Sequence, residues 1–227
     1  MNDQKRALSA AERCHKELTN MLCEARESFE IWKSFAGVEI DVEWINLGWF
    51  NPFVSATVDA HYLRVVINLF IIGDVDGKGR GNGHGIYYLR RKLIGAGILK
   101  KEQDLEWQRY LDKAKPIHAK VRLVRDKHFA HRDEGYTWQK AMQESGLLYD
   151  ELDSLISHYY RIADVTAPEI ALIFLNEKLV KENMKGSIED VKTALLLYQP
   201  LLESKENENI MSEIHSLNPG MFYDRGT

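Results

Sequence analysis

Cysteine is scarce in this chain, with only Cys14 and Cys23 among 227 residues. Nine positions apart on one helix, they would be separated by roughly 13 Å of axial rise, too far for a disulfide. Both are expected to be reduced and buried, as in a cytoplasm. Long apolar runs are missing as well. The longest, Val65 to Ile72, is interrupted by Asn68 and falls well short of the roughly 20 residues that cross a bilayer, so neither a transmembrane helix nor a membrane partner is expected. The opening Met-Asn-Asp-Gln-Lys-Arg lacks the apolar core of a signal peptide, and a cytoplasmic location follows as the expectation. A surplus of positive charge is also lacking, since the net charge of -4 does not fit a surface coated for nucleic acid.

The distribution of that charge says more than its sum. Residues 77 to 101 carry seven Lys or Arg and no acid, and residues 113 to 132 carry seven more against Asp126 alone. Residues 147 to 215 hold thirteen acids and six bases. A basic middle and an acidic C-terminal third suit an anionic ligand held near the centre, although charged faces that merely solvate helices produce similar stretches.

With 44% apolar residues the chain can bury one sizeable core, and its periodicity is helical. From Asp3 to Phe35 the residues Leu8, Ala11, Leu18, Leu22, Ala25, Phe29 and Trp32 recur at three, four and seven with no Pro or Gly between them, which predicts a long amphipathic helix. Val38 to Trp44 alternates apolar and acidic and reads as a short extended connection. Ser55 to Ile72 predicts a second helix, with a buried strand as the rival because of its β-branched density. Further helices are predicted over Ile86 to Ile94, over Glu102 to Val124 with an end or kink near Lys115 caused by Pro116, and over Leu147 to Asp164. Thr166-Ala-Pro168 then resembles the start of another helix, and Ser187-Ile-Glu-Asp190 the start of a last one stopping around Pro200. Lys205 to Thr227 reads as a polar tail. The fold class expected is all-α, with a helical bundle over residues 1–165 and a C-terminal helical extension over 166–227 packed on or beside it. Trp32, Trp44, Trp49, Trp107 and Trp138 are read as core and interface anchors.

Asp74 to Gly85 begins like a calcium loop, but Lys78 stands at its fifth position and Gly85 at its twelfth, where a bidentate Glu is required. Its alternate glycines match neither a P-loop nor a dinucleotide fold. A flexible hairpin is the plain reading, in which Lys78, Arg80 and His84 are free to cover a polyanion.

The densest chemistry lies in Arg125-Asp-Lys-His-Phe-Ala-His-Arg-Asp133. Arg is permanently charged and forked to grip phosphate, and His both takes and gives a proton near neutrality. Two overlapping pairs share one spacing, Arg122 with His128 and Arg125 with His131. Polar surroundings single out the second, because Leu123 and Val124 after Arg122 look like the end of a buried helical face.

This stretch resembles the signature of the HEPN superfamily (higher eukaryotes and prokaryotes nucleotide-binding), and its Lys-His-Phe-Ala-His-Arg-Asp wording is most similar to the HEPN domains of abortive-infection U-type proteins. The resemblance implies an HEPN-like bundle that dimerises with two motifs facing each other. It implies a metal-independent endoribonuclease of phage defence or toxin-antitoxin type, with no cofactor, RNA as substrate, and an antitoxin or regulatory protein as a further partner. Arg125 and His131 take the catalytic roles. Arg122, Asp126, Lys127, His128 and Arg132 are expected along the RNA.

Elementary geometry adds a constraint. On a regular helix Arg125 and His131 lie about 120° apart, so either the helix breaks near Arg125 or two protomers build one cleft. There His131 would serve as base to the ribose 2′-hydroxyl or acid to the leaving 5′-oxygen, a partner's His131 taking the other role. Arg125 would stabilise the charge on the phosphate. Asp126 is tolerable beside a phosphate only if it pairs with Arg125 or Lys127. Two rival readings are a non-catalytic, partner-binding HEPN protein held together by these ion pairs, and a metal site of His128, His131 and Asp133, against which the neighbouring cations weigh. A third is that the motif match is accidental.

Overall fold

The computed structural model describes residues 2–35, 51–74, 85–130, 137–170 and 177–202. Seven helices account for nearly all of them, and no strand occurs among the described residues. In order these are α1 (Asn2–Phe35), α2 (Asn51–Gly73), α3 (Ile86–Gly95), α4 (Lys101–Ala130), α5 (Trp138–Ser145), α6 (Tyr149–Ile170) and α7 (Glu177–Leu202). The chain divides into two compact units, Met1–Met184 and Lys185–Thr227.

In the first unit α1 packs on α2 and α6, and α4 packs on the same two helices, which closes a four-helix ring. α3 lies against α1 and α5 against α4. The core stripe of α1 is the one its spacing predicts, with Ala11, Leu18, Leu22, Ala25, Phe29 and Trp32 all buried. The β-branched segment of α2 is helical because Val58, Tyr62, Val65, Val66, Leu69 and Ile72 fall on one side of a helix and are buried there, a tertiary gain that outweighs local propensity. By length and composition alone Ala56–Gly73 is apolar enough to cross a membrane, and 44% of that span is buried in this packing. Trp32 and Trp107 are fully buried.

Several boundaries differ from the sequence expectation. α4 does not end at Pro116 but runs on to Ala130. Pro116 and Asp112, whose carbonyl loses its helical partner, are both exposed, so water can satisfy that carbonyl. No new helix starts at Thr166, since α6 continues through Pro168 to Ile170. α7 begins at Glu177 rather than Ser187 and passes Pro200. α5 was not anticipated, although its ends are marked: Thr137 Oγ1 accepts from the Lys140 N–H, and Gly146 closes it at φ +64°, the left-handed cap that favours glycine. Cys14 is buried and Cys23 half-buried, both as free thiols. Burial pushes the Cys14 thiol up to about 12. The segment Val38 to Trp44, most of the glycine-rich loop and the tail from Lys205 lie outside the described residues.

One buried cation ties α1 to α6 and to the start of α7. Arg26 is wholly buried and pairs with Asp153, Glu177 and Glu30, with Ser157 Oγ accepting a further bond at 3.3 Å. Lys181 reaches Asp153 at 3.1 Å from the outside. Burial raises the Asp153 carboxyl, but Arg26 and Lys181 outweigh it and leave the pKa below its ordinary value.

Candidate functional site

Along α4 the positions Trp107, Leu111, Ala114, His118, Val121, Arg125 and His128 follow each other at alternating steps of four and three. That spacing keeps a row of side chains facing the bundle. Its first half is apolar and buried at Trp107, Leu111 and Ala114. Its second half holds two imidazoles and a guanidinium where an ordinary core helix would hold leucines.

Each of these polar groups meets an aromatic ring. The Arg125 guanidinium lies 3.6 Å from the centre of the Phe70 ring of α2, a cation–π stack. The His118 ring is nearly parallel to that same Phe70, at 6.2 Å and 15°, and its Nδ1 lies 3.1 Å from Tyr159 Oη of α6. His128 meets Tyr62 edge-on at 5.5 Å. Burial holds the His118 pKa down to about 4, with the nearby Arg122 and Arg125 charges acting in the same direction. It is therefore a neutral ring at physiological pH. Burial raises the Tyr159 hydroxyl well above its usual range.

Arg125 is 29% exposed and bonded at Nη2 to the Asp126 carboxylate at 2.6 Å. Its Nε is buried and has no hydrogen-bond partner among the described residues. The carboxylate therefore does pair with the arginine beside it, the condition under which it is tolerable next to an anion. Lys127 turns away to α5 and pairs with Glu144 at 2.7 Å. Arg122 is exposed, one helical turn from both His118 and Arg125. Leu123, expected to be buried, is 49% exposed, while Val124 is buried. The structure thus brings Arg122 and Arg125 onto one side of α4 and packs His128 on α2. His131, Arg132 and Asp133 lie outside the described residues.

Sequence reasoning missed His118, Phe70 and Tyr159. The signal for His118 was available: it stands seven residues before Arg125, two helical turns, and interrupts an apolar row. Phe70 and Tyr159 come from other helices, and nothing local marks them.

A helical bundle with a histidine- and arginine-bearing seam is the class that this geometry defines. Residues 55–170, which contain the whole seam, match the family model HEPN_AbiU2, described as AbiU2. The match covers more than half of the chain, and the protein belongs to this abortive-infection U-type family of HEPN domains. No curated protein and no solved structure matches it.

Proposed function

We propose that this HEPN protein is a metal-independent endoribonuclease that acts as a homodimer in abortive infection. The observation that carries the reading is the state of Arg125: a guanidinium fixed by Phe70 and Asp126, partly open, six residues before His131. A rigid cation of this kind stabilises charge on a phosphate without having to reorganise. His131 then moves the proton, from the ribose 2′-hydroxyl or to the leaving 5′-oxygen. The continuity of α4 through Arg125 supports a cleft shared by two protomers over a break of the helix at that residue.

In the test, purified protein is incubated with RNA in excess chelator. The wild type is expected to cleave, and Arg125→Ala and His131→Ala are each expected to lose roughly a hundred- to ten-thousand-fold in rate with unchanged thermal unfolding. Undiminished cleavage by both variants rules the assignment out. A second reading, a non-catalytic partner-binding protein, is favoured by the engagement of Asp126 and Lys127 in ion pairs. It predicts no cleavage by the wild type under any condition.

A further inference from the structure

Beside the seam, where the C-terminal end of α2 meets α4 and α6, lies a cavity of about 280 Å³. That is near the lower end of the roughly 300–1,000 Å³ of small-molecule sites, so it admits one ring system and not a duplex. Tyr87, His118 and Tyr159 line it together with Gly73, Asp74 and Arg122. Gly73 keeps it open. A Cβ there would collide with Tyr159 Oη and with His118 Nδ1, so no other residue fits without displacing the wall.

The lining chemistry is that of a planar, hydrogen-bonding ring with an anion attached. Tyr87, His118 and Tyr159 contribute aromatic side chains to the lining, and His118 is not a second cation because burial keeps it neutral. Asp74 can accept from a ring N–H or an amino group. Two cations stand at the rim. Lys115 is held by Asp112 at 2.9 Å, whereas Arg122 is exposed and makes no ion pair with any described residue. Arg122 and Arg125 are three residues apart on one helix, neighbours about 5–6 Å apart at Cβ, and Phe70 touches both the His118 wall and Arg125.

We propose that this cavity is a base-binding subsite, taking the base of the RNA nucleotide adjacent to the linkage at Arg125 with that nucleotide's own phosphate on Arg122. The subsite rests on the RNA reading of Arg125 for its register, and it makes cleavage depend on the base that fills it. Aromatic stacking of a single base changes affinity by about five- to 150-fold, enough to bias where a strand is cut.

The experiment uses full-length protein and 2′-O-methyl tetranucleotides of the four bases, which lack the attacking hydroxyl and stay intact, with nucleoside monophosphates as a second arm. At least one tetranucleotide is expected to bind and to be weakened about tenfold or more by Ala119→Trp, which plugs the mouth from an exposed position, and several-fold by Arg122→Ala. Thermal melts of both variants should match the wild type. Binding that is indifferent to Ala119→Trp overturns the proposal, as does a free monophosphate that binds as tightly as the tetranucleotide, which would mark a metabolite site. The two readings fail separately. If cleavage survives both Arg125→Ala and His131→Ala while Ala119→Trp still blocks tetranucleotide binding, the nuclease assignment falls together with the register it gave, and base binding in the cavity stands. If Arg125→Ala abolishes cleavage while Ala119→Trp changes nothing, the subsite falls alone.

Discussion

Among the described residues two arginines sit against phenylalanine rings, and their surroundings differ. Arg26 lies 5.6 Å from the Phe29 ring, is fully buried, and meets carboxylates from its own helix, α6 and α7. Arg125 lies closer to its ring, is partly exposed, and among the described residues meets one carboxylate, that of the next residue. A buried cation surrounded by acids has no capacity left for a ligand, and removing it strands those acids. A stacked cation with one partner keeps its geometry and has donors to spare. The contrast separates structure from chemistry without appeal to sequence position.

That contrast can be broken by mutation. The largest effect expected is on rate: Arg125→Ala costs a hundred- to ten-thousand-fold in RNA cleavage and moves the unfolding midpoint little. Arg26→Ala should do the reverse, destabilising by about 3–5 kcal/mol because Glu30, Asp153 and Glu177 lose the buried cation they share and Lys181 reaches only the last two. Denaturant unfolding checks this, and a loss below about 1 kcal/mol would contradict the structural role. The His118 pKa, lowered by burial to about 4 from 6.5, sharpens the comparison further. Between those values the unfolded chain takes up a proton that the native ring refuses, so stability present above pH 6.5 is lost as pH falls toward 4, by about 2–3 kcal/mol. His15, His61 and His158 are also lowered by burial and add to the same window. His118→Gln should flatten part of that slope in melts taken across the range. The smallest effect is expected at the exposed edge of the motif: Lys127→Ala, which breaks only the pair with Glu144, should cost less than about 1 kcal/mol.

The sequence was most legible where periodicity is strong and uninterrupted. The stripe of α1 predicted both the helix and its buried residues. The β-branched part of α2 could not be settled locally, because the choice of helix was made by packing against α1 and α4. Pro116 suggested an end or a kink, Pro168 the first turn of a new helix and Pro200 a stop, yet a helix runs through each of them, since a single lost backbone bond is tolerated where the rest of the helix is held. The motif residues were singled out by their chemistry. Phe70, Tyr159 and Gly73 were not, because their meaning arises only when α2 and α6 close on α4. His118 stood in plain view as a break in an apolar row and was passed over for the denser cluster that follows.

The central claim, that Arg125 and His131 cleave RNA by activating its own 2′-hydroxyl, is tested most directly by the ends of the products formed in chelator. Mass spectrometry should find a 2′,3′-cyclic phosphate on one fragment and a 5′-hydroxyl on the other. Products ending in 3′-hydroxyl and 5′-phosphate, or cleavage that stops when metal is removed, would contradict it.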